Sequence, residues 1–428
     1  MALLCAAALA AFPAANWKVL QDTDYPNNGG GPLSPAVKGA SAAECADHCQ
    51  KLPDCVAVVW NAQADHGCNF KCNAKGATHK AHEEAVIVRP GRDTCGKPPP
   101  PAPPPAPPSP ATLCPDSMPK DWKAPCLGGN LFYHAGPQAA RYMPTIGNGF
   151  LATFVKSDII YSAGLFNGDS MGALGPVSHR ATIPPFHVSV GPAGAAAVTD
   201  SALDVRRAVF TQRSTLNGSV AVEERWYASL VRPSVLVHEV SFTATGSGTT
   251  RVGFSAKEAP ASADLNMTKL KPMMGGPVRW SGSNIHGELG NATTLAMVAT
   301  DVMEPVVVAP GSPKTVYFLT VIVTSLNSTA PLQDAAKIYS EAREDAPKLL
   351  DEHVAAWSAR WEQGSLEVAG DLFLAQALNS SLYAIRASIR SDWPFGLSPG
   401  GLASNAYEGH TLCVRAAALL FCLLTDRC

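Results

Sequence analysis

The chain has almost no net charge: 33 lysines and arginines face 35 aspartates and glutamates, leaving a formal charge of −2 over 428 residues. Without a long-range positive field, nothing draws the phosphates of nucleic acid or an anionic membrane, and neither is expected as a partner. A long apolar run is also missing. The apolar core of the tail, Ala416 to Leu424, is nine residues, whereas a helix needs about 20 to cross a bilayer, so no membrane span is expected. There is no G-x-S-x-G elbow and no P-loop, which leaves serine-hydrolase and nucleotide-phosphate chemistry without their usual frames.

Metal ligands are equally sparse. Asp22 and Asp24, with Asn27, Asn28 and Gly29, begin like a calcium loop, but Leu33 stands where the bidentate carboxylate belongs. His179 and His187 flank RATIPPF with no third ligand type nearby and read as structural histidines. No metal or other cofactor is expected. Glu223, Glu224 and Glu239 fall in strand-like segments and read as the solvated face of a sheet.

Cysteine and proline are present in quantity and placed unevenly. Cys45, Cys49, Cys55, Cys68, Cys72 and Cys95 cluster near the N-terminus, Cys114 and Cys126 flank a short loop, and Cys413, Cys422 and Cys428 end the chain. Dense, even clusters staple small cores in oxidising compartments, so an extracellular or secretory-pathway location is expected. Sequons at Asn217, Asn266, Asn291, Asn327 and Asn379 add glycosylation sites to that expectation. Residues 1–15, an apolar run closing on small residues at Ala14 and Ala15, read as a signal peptide without a basic start. Proline locks φ and lacks an N–H, so Lys97 to Pro110, KPPPPAPPPAPPSP, is a stiff spacer, roughly 40 Å if extended.

The spacer separates residues 16–96 from everything downstream. In that module Ser41-Ala-Ala-Glu44 is a capping box opening a helix that sets Cys45 and Cys49 on one face. A strand from Val56 to Trp60 follows, and then Cys68 and Cys72. This order resembles the PAN/apple domain, a small disulfide-held α+β fold that binds proteins or carbohydrates, which makes a protein or glycan ligand the implied partner. Six cysteines allow 15 pairings, and the spacing does not choose among them.

Over the whole chain, 46% apolar content supports more than one core. Period-2 alternation predicts strands at Ala208–Gln212, Val220–Leu230, Ser234–Thr243, Thr250–Ser255, Thr294–Thr300 and Thr315–Thr324, and a hairpin at Gly147-Asn-Gly149. So many strands at short intervals predict a large antiparallel β-sandwich over 111–332. From Gln333 the period becomes helical, with Trp357 and Trp361 at i, i+4 and a further helix over Asp371–Ile389.

The succession PTIGNGFLAT, GLFNGD, SHRATIPPF, RRAVFTQR and EERWYASLVRPSVLVHEVSF is similar to the N-terminal sandwich of glycoside hydrolase family 65, and within it to the glucosylgalactosylhydroxylysine-glucosidase and acid-trehalase-like branches. EHVAAWSARWEQGSLEVAGDLFLAQALNSSLYAIR resembles the family's linker and first barrel helix, and GLSPGGLASNAYEGHT its sugar-pocket loop. The resemblance implies a helical linker over 333–370, the start of an (α/α) catalytic barrel over 371–411 and a divergent tail over 412–428. It further implies release of a terminal α-linked glucose from a free or glycoprotein-linked disaccharide. Inversion needs one carboxylic acid on the leaving oxygen and one carboxylate on the attacking water, a place taken by phosphate in phosphorylases. Tyr407, Gly409 and His410 match substrate-pocket positions, but Leu412-Cys-Val-Arg415 replaces the family's Phe-Trp-Asp, and no residue matches the general acid. No catalytic residue is therefore assigned, and the chain is expected to be a truncated, inactive relative, the alternative being a non-enzymatic binding protein. The Asp371–Ile389 helix is expected to expose Phe373, Leu374, Leu378, Leu382 and Ile385, with poor order beyond Gly370.

Overall fold

The computed structural model describes residues 57–61, 67–71 and 83–87 as backbone, and residues 108–168, 177–191, 196–271, 276–287 and 292–397 with their side chains. The chain divides into two units, 1–106 and 107–428. In the first, the strand Ala57–Asn61 lies between Gly67–Lys71 and Glu83–Ile87, antiparallel to both. The predicted strand at Val56–Trp60 is thus present from Ala57. Cys68 sits on the second strand, while the helix expected to carry Cys45 and Cys49, and Cys55, Cys72 and Cys95, lie outside the described residues.

The second unit is built on a nine-stranded, wholly antiparallel sheet. In chain order its strands are β1 (Leu131–Ala135), β2 (Ala196–Asp204), β3 (Val209–Leu216), β4 (Val220–Ala228), β5 (Val235–Ala244), β6 (Leu265–Lys269), β7 (Val278–Asn284), β8 (Thr294–Ala299) and β9 (Lys314–Thr324). In space they run β6-β7-β8-β9-β5-β4-β3-β2-β1. Alternation gives each strand two apolar faces rather than one. Val222, Val240, Phe242 and Phe318 face inward, against a second layer that includes the three-stranded sheet Thr145–Gly147, Leu151–Phe154, Ile160–Ser162 and the strand Phe186–Val190. Tyr227, Val237, Leu319 and Val321 face the other way, onto helix α2 (Pro331–Glu344). The expected sandwich is present, and a helix covers the outer face of its larger sheet.

Among the described residues, four helices of eight or more residues frame this sheet, after a single turn at Pro110–Leu113. Helix α1 (Lys120–Leu127) was not foreseen in the sequence, because eight residues interrupted by Pro125 show little periodicity; it is tied down by a Cys114–Cys126 disulfide with Cα atoms 5.9 Å apart. The predicted 333–370 stretch breaks at Ala346-Pro347-Lys348 into α2 and α3 (Leu349–Glu362). Helix α4 (Leu372–Ser388) starts at Asp371, whose side chain caps Leu374 N.

Two expectations about α4 are corrected. Leu382 is buried, not exposed, and packs with Tyr383 and Ala387 on Trp357, Trp361 and Leu230. Phe373, Leu374 and Ile385 do stay 45–47% exposed, because they lie on the opposite stripe. The chain beyond Gly370 is also well packed as far as Leu397, since the sandwich and α3 supply partners that local sequence cannot show.

Candidate functional site

The last described segment, 389–397, leads into the stretch that resembles a sugar-pocket loop, and the sandwich holds it at several points. The Gly147-Asn148-Gly149 turn supplies the first. Asn148 is fully buried, accepts from Phe150 N and Leu151 N, and donates to the carbonyls of Ser229 (2.7 Å) and Pro233 (2.9 Å). Gly149 has φ +84° and gives its N–H to Ala387 O (2.8 Å); a Cβ there would stand 2.4 Å from the Ile389 backbone. Glycine is needed because the end of α4 lies against the turn.

Further contacts follow along the segment. Arg390 donates to Leu230 O (3.0 Å) and forms a two-pronged pair with Asp392 at 2.7 Å. Trp393 Nε1 donates to Ala163 O (3.1 Å), and its ring meets Phe150 edge-on at 5.0 Å. Phe395 lies over Gly164, where a Cβ would come within 2.7 Å of the ring. Leu397 donates to Ser388 O (3.0 Å) and accepts from Arg180 Nη1 (2.9 Å). Tyr407, Gly409 and His410 lie outside the described residues.

A second site was missed in the sequence. A cavity of about 420 Å³ opens between the inner face of β3, β4 and β5 and the second layer. Across it runs a hydrogen-bonded chain. Lys156 Nζ donates to Gln212 Oε1 (3.0 Å), Gln212 Nε2 donates to Glu224 Oε2 (3.1 Å), and His238 Nε2 donates to Glu224 Oε1 (3.0 Å). His238 stacks on Trp226 with centroids 4.5 Å apart, and Lys156 Nζ lies 5.0 Å from the same ring. Burial drives Glu224 upward, but the hydrogen bond from His238, with Lys156 and Gln212, outweighs it and leaves the carboxyl below the usual range. Lys156 is exposed as a residue, but its ammonium sits against Trp226 and Gln212, and that partial desolvation lowers it from its ordinary value.

The reading of Glu223, Glu224 and Glu239 as a solvated face is therefore corrected for two of them: Glu224 is 7% exposed and Glu239 5%. Consecutive residues on a strand point to opposite faces, so Glu224 enters the cavity while Glu223 joins a ladder on the helix side. That ladder runs Asp121–Arg213–Glu223–Arg225–Glu239. Its three carboxylates face two guanidiniums, and burial pushes Glu239, at the inner end, above its usual range. A Glu-Glu pair inside an alternating run was the available signal; what it lacked was the identity of the cross-strand neighbours.

The remaining expected sites divide as follows. His179 Nε2 donates to Asp264 Oδ1 (2.7 Å), and His187 Nε2 stands 3.4 Å from Asp158, with burial lowering its pKa. Among the described residues no group of three or more His, Cys, Asp or Glu could hold a metal ion, and no helix is long and apolar enough to cross a membrane. Asn217, Asn266 and Asn327 are exposed, and Asn291 lies outside the described residues. Asn379 is withdrawn as a glycosylation site: it is 6% exposed, and its amide donates to Gly129 O and Asn130 Oδ1, both at 3.1 Å.

No protein-family model matches the chain. It is 28% identical over 309 residues to a protein-glucosylgalactosylhydroxylysine glucosidase of Dictyostelium discoideum, a match covering 68% of this chain and 43% of the relative. It is 31% identical over 288 residues to the Mus musculus protein of the same name, covering 64% and 40%. Among solved structures, a putative kojibiose phosphorylase from the human microbiome superposes with a TM-score of 0.50 over 66% of this chain and 44% of that one, at 11% identity, a likeness of fold alone. The chain thus spans about two fifths of the length of these curated relatives. It is similar in sequence to part of these glucosidases and in fold to part of the phosphorylase.

Proposed function

We propose that this chain is the sandwich-bearing part of a secreted, carbohydrate-active protein of the α-glucosidase type, whose substrate is a terminal α-linked glucose on a glycoprotein-linked or free disaccharide. The observation that carries the reading is the tethered segment 389–397: a buried hydrogen bond from Arg180 and part-buried ones at Asn148 and Trp393 fix where the chain enters the stretch containing Tyr407, Gly409 and His410. Positioning of that kind is what a sugar pocket at the top of a helical barrel requires. The sandwich on this reading is a scaffold, and Tyr407 and His410 line the pocket edge.

Chemistry by inversion requires an acid and a base on opposite sides of the glycosidic bond, and no residue of the 428 matches the family's acid. The chain alone is therefore assigned no turnover. The test is release of glucose from glucosylgalactosyl-hydroxylysine peptide by the purified chain: none is expected, and turnover abolished by replacing any one carboxylate would overturn the assignment. Sequencing the transcript across the Thr411 codon complements it, a frame encoding Phe-Trp-Asp directly after Thr411 being the expected result.

A second reading, a non-enzymatic extracellular binding protein, is favoured by one observation, the cavity between the two layers. On either reading residues 16–96 act as a binding module for protein or glycan. Three intramolecular disulfides in that stretch, read by mass spectrometry of secreted material, are the expected result.

A further inference from the structure

We propose that the cavity opening between β3, β4, β5 and the second layer is a binding site for one small, neutral, polyhydroxylated molecule of hexose size, held between Glu224 and Lys156. The inference goes beyond the function proposed above, because it requires no catalytic barrel and no residue past 397.

Size comes first. About 420 Å³ is near the lower end of small-molecule sites, which span about 300–1,000 Å³, and suits a single pyranose ring with a few waters. The walls are of two kinds. Phe186, Val188 and Phe318 offer apolar surface, and the Lys156–Gln212–Glu224–His238 chain offers polar groups. A sugar ring has the same division, with C–H faces and hydroxyl edges.

Charge selects against ions. Among the lining residues Lys156 and Lys257 are offset by Glu224 and Asp158, so neither an anion nor a cation gains a net field in the cavity. Hydrogen-bonding capacity is left over. An ammonium has three donors and a carboxylate about four acceptor positions; the contacts above use one donor of Lys156 and two acceptor positions of Glu224. A vicinal diol fits the remainder, one hydroxyl donating to the carboxylate and its neighbour accepting from the ammonium.

Two costs argue that the arrangement is more than filling. Burying a carboxylate costs free energy unless it is hydrogen-bonded, yet Glu224, 7% exposed, lines the cavity beside Leu236 and Phe318. Lys156 also has φ +61°, in the left-handed region that a non-glycine residue enters only at an energetic cost. That turn follows the strand Leu151–Phe154 and brings the lysine over Trp226.

The experiment is saturation-transfer NMR and calorimetry on the full 428-residue chain with D-glucose, D-galactose and inorganic phosphate. Saturable hexose binding is expected, weakened at least tenfold in Glu224→Gln and Lys156→Met, and lost in Val198→Trp, which puts a bulkier side chain on the cavity wall without removing a polar group. Circular dichroism establishes that each variant is folded. No saturable hexose signal from the unmodified chain at tens of millimolar overturns the proposal without recourse to any variant. So does hexose binding unchanged in folded Val198→Trp, or phosphate binding tighter than either hexose. Glucose release from glycopeptide is measured separately, so loss of one reading leaves the other standing.

Discussion

On the helix side of the nine-stranded sheet, charge is tied into a ladder that runs from half-exposed Asp121 through Arg213, Glu223 and Arg225 to buried Glu239. On the inner side, one residue along the same strand, Glu224 is tied to His238, Gln212 and, through Gln212, to Lys156. The ladder alternates sign at each step, so its guanidiniums are consumed by carboxylates on both sides. The inner chain has single contacts and leaves donors and acceptors facing a cavity. Charge on the ladder side satisfies charge; charge on the inner side is held ready for something else. Adjacent residues of one strand thus do different work because the pleat separates them.

The strongest way to break this contrast is Glu224→Ala. Removing the carboxylate leaves buried Gln212 and half-buried His238 without their shared partner, and should cost about 3 kcal/mol, read as a lowered urea midpoint with unchanged slope. A loss under about 1 kcal/mol would mean that the cavity is wet enough to screen these groups.

Acid should separate the two sides next. His353 on α3 is fully buried on the helix side, accepts from Leu230 N (3.2 Å) and donates to Ala208 O (3.3 Å), and burial lowers its pKa to about 4. The unfolded chain protonates near 6.5 and the folded chain only near 4, so stability falls as pH drops between those values, by roughly 3 kcal/mol in all. Glu224 has a folded pKa below its unfolded one, and its contribution is lost only as pH falls below the ordinary glutamate range. Urea unfolding at a series of pH values should show the His353 loss first, and His353→Asn should flatten the curve between pH 6.5 and 4.

Arg225→Ala tests the ladder at its buried end. Glu239 loses its guanidinium, but burial already pushes its pKa upward, so it can take a proton instead of remaining a bare charge. The cost should be about 2 kcal/mol, smaller than at Glu224, and should shrink as pH is lowered toward the carboxylate range. Asp121→Asn, at the exposed end, should cost less than about 1 kcal/mol and disappear in high salt. A larger effect there would mean that the Arg213–Trp122 contact, 4.4 Å from guanidinium to ring centroid, depends on Asp121.

Much of this was legible in the sequence. Alternation found β3 and β4 to within a few residues, while β5, β8 and β9, buried on both faces, were legible as β-branched apolar runs. The Gly-Asn-Gly turn was legible as a hairpin, though not its second task of receiving the end of α4. Helix α1 was not legible, since a disulfide and its neighbours hold it more than its own periodicity does. The cavity was invisible for a different reason: Lys156, Gln212, Glu224 and His238 are up to 82 residues apart and share no local pattern.

Sequence by itself determined the sheet-then-helix order and the likeness to an α-glucosidase family, because periodicity and motif order are properties of neighbours along the chain. Tertiary structure alone decided which glutamate faces a guanidinium and which a cavity, that Asn379 is buried, and that α4 spends its Leu382 stripe on Trp357 and Trp361. Those outcomes depend on sheet register and on which layer covers which face, and both are set only when distant segments meet.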